Sequence, residues 1–70
     1  MRTRTIEVKG MSCNHCVQSV TRALSGIEGL TNVKVDLTFG TATYDETKPV
    51  ADDVVKAAIE RIGFTAGNYR

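Results

Sequence analysis

From Thr3 to Lys9 apolar and polar residues alternate, with Ile6 and Val8 on one face and Thr5, Glu7 and Lys9 on the other. That period of two predicts a half-buried strand, ended by Gly10. The period then changes: Val17, Val20 and Leu24 recur at i, i+3 and i+7, with Cys16 and Ala23 beside the same stripe. This predicts an amphipathic helix, with Asn14 or Ser12 as the expected N-cap and Gly26 as the expected left-handed stop. Period two returns where Val33, Val35 and Leu37 alternate with Asn32, Lys34 and Asp36. Gly40 stands where a hairpin turn is needed, and the β-branched and aromatic run Thr41 to Tyr44 suits an antiparallel partner strand. Asp45 to Pro49 interrupts the pattern. Val55, Ala58, Ile59 and Ile62 then mark a second helical face, with Asp52 and Asp53 in the first turn, Arg61 in the last and Gly63 as the stop. Phe64 to Tyr69 completes the chain as a closing strand, weakened by Gly67.

The element order β-α-β-β-α-β predicts an α+β ferredoxin-like sandwich, a four-stranded antiparallel sheet with both helices on one face. The other face meets solvent, which is why the strands alternate rather than running continuously apolar. No internal repeat or linker interrupts the pattern, so residues 1–70 are expected to form one domain. At this length folding buries only about 60% of the surface of the unfolded chain, and a large substrate cleft is not expected.

Composition narrows the partners. The chain is 41% hydrophobic and 24% charged, and no apolar run approaches the roughly 20 residues of a membrane span. No membrane insertion is expected. Nine Lys and Arg against eight Asp and Glu leave a net charge of +1, without the basic excess that phosphate binding requires. Nucleic acid is therefore not an expected partner. The charged start Met1-Arg2-Thr3-Arg4-Thr5 is not followed by the apolar stretch of a secretory signal, which points to a cytoplasmic location.

The segment Gly10-Met11-Ser12-Cys13-Asn14-His15-Cys16 changes the picture most, because it sets a C-x-x-C between the first strand and the first helix. A disulfide here would close a very short loop and constrain little of the unfolded chain. Cys13 is expected in the loop and Cys16 in the first helical turn, where free N–H groups and the helix dipole favour a thiolate. A dithiol redox site also places C-x-x-C at a helix start, but here no Trp precedes Cys13 and the element order differs. Two incidental core cysteines fit less well, since Ser12, Asn14 and His15 are polar. Ligand counting then selects the metal. Structural Zn(II) takes four ligands, whereas the chain has two cysteines and one histidine. Two thiolates suit Cu(I), and the same softness admits Ag(I) or Hg(II). His15 lies about 100° around the helix from Cys16 and is expected to face solvent.

With the Gly63-Phe64 dipeptide after the second helix, this segment and the element order resemble the heavy-metal-associated domain family over essentially the whole chain. That family includes bacterial copper chaperones, N-terminal domains of copper-transporting P-type ATPases and periplasmic mercury-binding proteins. The resemblance implies Cys13 and Cys16 as the metal ligands and Met11 as an apolar anchor for the loop. Bacterial copper chaperones usually carry Tyr, and transporter domains often Phe, at the place of Phe64. This chain departs from the chaperone pattern there, while core packing alone explains an apolar ring.

Three roles are compatible with the resemblance. A free copper chaperone fits a chain that starts just before the first strand and ends just after the last. An ATPase metal-binding domain fits Phe64. Mercury handling fits the dithiolate but not the missing signal sequence. No general base stands beside a nucleophile, so no enzyme is expected. The implied partner is a copper-transporting P-type ATPase or another C-x-x-C protein, with a metal-bridged homodimer as a by-product.

Overall fold

The computed structural model describes residues 2–70. The elements run β1 (Arg2–Lys9), α1 (Asn14–Ser25), β2 (Leu30–Asp36), β3 (Thr41–Glu46), α2 (Asp52–Arg61) and β4 (Thr65–Tyr69). The four strands form one sheet in the order β2-β3-β1-β4. Every pair is antiparallel. This is the ferredoxin-like βαββαβ arrangement that the periodicities predict.

The core lies between the helices and one face of the sheet. Ile6 and Val8 of β1 meet Val20 and Leu24 of α1, Leu30 of β2, Ala42 and Tyr44 of β3, and Val55 and Ile59 of α2. These are the positions that periods of two and 3.6 carry to the inside. Fully burying each aliphatic side chain stabilises the fold by roughly 1.5–3 kcal/mol. The outer face of the sheet is polar. There Asp45 accepts hydrogen bonds from Thr3 Oγ1 at 2.6 Å and Asn32 Nδ2 at 2.9 Å.

Several local expectations are corrected. Asn14 and Ser12 do not cap α1: the N-cap is Cys13, in an extended conformation and without a side-chain capping bond. Gly26 ends α1 in a right-handed conformation, φ −78°. The left-handed turn comes later, at Gly29 with φ +100°. A bulge between Thr31 and Lys34 shifts the β2 register, and Asn32 takes φ +51° within it. The bulge lets Leu30, as well as Val33 and Val35, reach the core side, while β2 ends at Asp36, so Leu37 falls in the β2–β3 turn, where it is exposed. Period two cannot show such a change of register. β3 also runs on through Asp45 and Glu46, which the sequence reading assigned to the interruption. β4 does form despite Gly67, with a register shift opposite Glu7, whose carboxylate accepts the Asn68 N–H at 3.4 Å.

Candidate metal centre

β1 and α1 position the cysteines. Gly10 turns the chain out of β1 at φ +102°, a conformation that side chains with a Cβ rarely adopt. A Cβ there would stand 3.3 Å from Cδ1 of Phe64, so the ring lies directly against the turn. Phe64 and Met11 are both half-buried and packed on the core. One apolar side chain thus anchors the loop from within, and the other braces it from the α2–β4 corner. Gly63, at φ +94°, makes that corner.

Cys13 is exposed and Cys16 half-exposed, and both are free thiols. Their Sγ atoms lie 3.2 Å apart, within thiol hydrogen-bond reach and well beyond a disulfide bond length. Cys16 lies in the first helical turn, as the sequence predicts, and Cys13, expected in the loop before it, is the N-cap. The Cys13 carbonyl accepts the N–H of Cys16 at 3.1 Å and of Val17 at 3.3 Å, which locks the first turn beneath the sulfurs.

A hydrogen bond from the Ser12 backbone, then one from the Cys13 side chain, holds the Cys16 thiol below its ordinary pKa. No acidic residue stands in the first turn of α1 to oppose its dipole. Cys16 is thereby prepared to bind as a thiolate. Ser12 was expected to cap the helix, and its hydrogen bonds to Cys16 have no signature in the C-x-x-C spacing.

No group of three or more His, Cys, Asp and Glu side chains converges on a potential metal site among the described residues. His15 is exposed on α1, as expected from its position around the helix. The centre is a pair of soft donors open to solvent on one side. Such a pair suits an ion that accepts low coordination and takes up further thiolates during exchange.

A sequence profile of the heavy-metal-associated domain matches residues 5–65. The chain belongs to the heavy-metal-associated domain family. The copper chaperone CopZ of Staphylococcus aureus (strain MRSA252) is 41% identical over 66 residues, which span 91% of this chain and 96% of that protein. A solved structure of a CopZ metallochaperone is similar with a TM-score of 0.85 at 35% identity, covering 93% of this chain and 98% of the other. A copper-binding domain from HMA7, a P-type ATPase, is similar with a TM-score of 0.88 at 31% identity, covering 100% and 95%.

Proposed function

We propose that Cys13 and Cys16 bind one Cu(I) ion as a dithiolate, and that the chain carries this ion and hands it to a partner by ligand exchange. The observation that carries the reading is the pair of free thiols, Cys13 exposed and Cys16 half-exposed, 3.2 Å apart at a helix start. At a metal–sulfur distance of about 2.3 Å, a linear two-coordinate ion sets its sulfurs roughly 4.6 Å apart. Loading therefore widens the pair, and Cys13, exposed in the loop, is the one free to move.

In the exchange an incoming thiolate forms a bond to the ion before one of the two original bonds breaks. The copper stays Cu(I) throughout, and each displaced sulfur leaves as a thiolate or takes up a proton from solvent. No free ion is released. The partner in this reading presents its own C-x-x-C, as a copper-transporting P-type ATPase domain does. The high identity to a copper chaperone, over nearly that protein's whole length, supports a carrier over a receiving domain.

The setting is cytoplasmic in this reading. No helix among the described residues is long and apolar enough to cross a membrane. In this reading the chain acts as a carrier rather than an enzyme, in keeping with its similarity to a copper chaperone over nearly that protein's whole length.

Anaerobic Cu(I) titration against a competing chelator tests the proposal. One ion per chain is expected, with tight binding lost in Cys13→Ser and in Cys16→Ser. Unchanged affinity in either variant sinks the dithiolate model. Competition among Cu(I), Zn(II) and Hg(II) then fixes the preferred ion, and a preference for Zn(II) that depends on His15 would refute the ligand count.

A further inference from the structure

Strand alternation carries Arg2, Arg4 and Ile6 of β1 to the inner face of the sheet, together with Ala42, Tyr44 and Glu46 of β3. Arg2 stands opposite Glu46 and Arg4 opposite Tyr44, so the inner face ends in charged residues on the side remote from the cysteines. Between these residues and the β3–α2 connection lies an open cavity of about 290 Å³, lined in part by Arg2, Arg4, Glu46, Lys48, Pro49 and Val50. Arg2 and Lys9 are at opposite ends of β1, roughly 23 Å apart along the strand, which sets this cavity well away from Cys13 and Cys16.

Glu46 is the unusual member of the lining. Its side chain is only 7% exposed, yet it accepts no hydrogen bond among the described residues. Arg4 gives its hydrogen bond to Asp52 Oδ1 at 2.9 Å and stands 3.5 Å from Glu46 Oε1. Stacking on the Tyr69 ring at 4.0 Å holds the guanidinium in that position. A carboxylate offers about four acceptor directions, and burying them unmet is costly. No fully buried side-chain oxygen lacks a hydrogen bond among the described residues, so the unused acceptors of Glu46 open onto the cavity.

The rest of the lining limits what can meet them. Arg2 and Lys48 are exposed and bring positive charge to the mouth. Lys48 Nζ pairs with Glu28 Oε1 at 2.6 Å, but both side chains are exposed, and a surface pair of this kind contributes little and yields to a ligand. A simple anion would meet Glu46, and a simple cation would meet Arg2 and Lys48. A molecule that carries an ammonium beside a carboxylate answers both. Pro49 and Val50 add an apolar wall, and the volume stands at the small end of the range for ligand sites.

We propose that this cavity binds a free α-amino acid with an apolar side chain, its ammonium donating to Glu46, its carboxylate meeting Arg2 and Lys48, and its side chain lying on Pro49 and Val50. The hydrogen bonds to Glu46 are charge-assisted and set the orientation of the ligand. The site uses no atom of the cysteine loop, so it stands or falls independently of metal binding.

The test uses the full chain, reduced, metal-free and labelled with nitrogen-15, and follows backbone amide shifts by NMR. L-leucine, N-acetyl-L-leucine and L-leucinamide are titrated separately, so that the probe carries both charges, only the negative one or only the positive one. Leucine is expected to give saturable shifts at Arg4, Glu46, Lys48 and Val50, with each singly charged probe weaker by at least about ten-fold. Glu46→Gln keeps the shape of the side chain and should weaken leucine by about ten-fold. Arg2→Gln, at an exposed position that the fold does not need, should weaken it several-fold, and Asp45→Asn on the outer face of the sheet should leave it unchanged. Absence of saturable shifts with leucine overturns the proposal, as does a response confined to the cysteine loop. N-acetyl-leucine binding as tightly as leucine reduces the cavity to an anion patch and overturns it too, and equal binding of leucinamide does the same in favour of a cation site. Unchanged leucine affinity in both Glu46→Gln and Arg2→Gln removes the residues on which the proposal stands.

Discussion

The two ends of this domain are built on opposite plans. At the end away from the cysteines, Arg4 Nη1 meets Asp52 Oδ1 at 2.9 Å and Glu46 Oε1 at 3.5 Å, while its Cζ stands 4.0 Å from the centre of the Tyr69 ring. Tyr44, 1% exposed, joins its hydroxyl to that of Tyr69 at 2.8 Å. Burial raises both phenols above their ordinary pKa, so the pair stays protonated and hydrogen-bonded at any ordinary pH. Side chains from β1, β3, α2 and β4 are thus tied together at that end. The cysteine end has free thiols, exposed apolar side chains and a glycine turn. A metal carrier gains from this division: the two thiols can move apart while the fold is held elsewhere.

The largest expected effect tests the exposed end. Removing either thiolate should cost more affinity than the roughly 10–100-fold typical of losing an outer hydrogen-bond partner of a ligand. The thermal midpoint of the metal-free Cys16→Ser chain should barely move, because its sulfur supports no packed core. A large loss of stability in that variant would break the comparison, since it would make the site part of the scaffold.

Tyr44→Ala tests the opposite end. Truncating a fully buried aromatic side chain should cost about 3–5 kcal/mol, measured by chemical denaturation. Cu(I) affinity of the fraction that remains folded should stay within a few-fold of wild type. Loss of affinity in step with stability would show that the two ends are coupled after all.

Gly10→Ala probes the join between them. Its φ of +102° and the 3.3 Å approach of Phe64 act together, whereas at Gly63, with φ +94°, an added Cβ meets nothing within 4 Å. Backbone strain of about 1–3 kcal/mol is expected at both positions. The excess cost at Gly10, together with a several-fold drop in metal affinity seen only there, measures how far Phe64 holds the cysteine loop in place. Equal effects at the two glycines would reduce Phe64 to ordinary packing.

The periodic parts of the molecule were legible in the sequence, and the parts made by long-range meetings were not. Ile6, Val8, Val55 and Ile59 reach the core because each repeats with the period of its own element. Cys13 and Cys16 were placed correctly for a similar reason, since a loop followed by a helix is a local pattern. The Asn32 bulge is also local, but nothing in an alternating strand marks the residue that will break register, so the alternation of Val33 and Val35 did not carry back to the core position of Leu30. The Tyr44–Tyr69 bond joins residues 25 apart and exists only once β3 and β4 both pair with β1. The exposure of Phe39 follows from the turn at Asp36, where side-chain hydrogen bonding overrides the tendency of an aromatic ring to bury.

The smallest expected effect separates the two ends by pH. Hydrogen bonds from Thr3, then from Asn32, hold the Asp45 carboxyl below its ordinary pKa. A carboxyl whose pKa is lower folded than unfolded contributes stability above its unfolded value and loses it as pH falls through the folded one. Asp45 should therefore withdraw its small contribution progressively below about pH 4. Denaturation midpoints of the metal-free chain should decline over that range, and Asp45→Asn should flatten part of the decline. Metal affinity should weaken on acidification for another reason, the competition of protons for the two thiolates, and Asp45→Asn should leave that dependence untouched. If the substitution shifts the pH dependence of metal binding, the polar face of the sheet and the cysteine loop share a proton-linked change, and the division between scaffold and site has to be redrawn around Asp45.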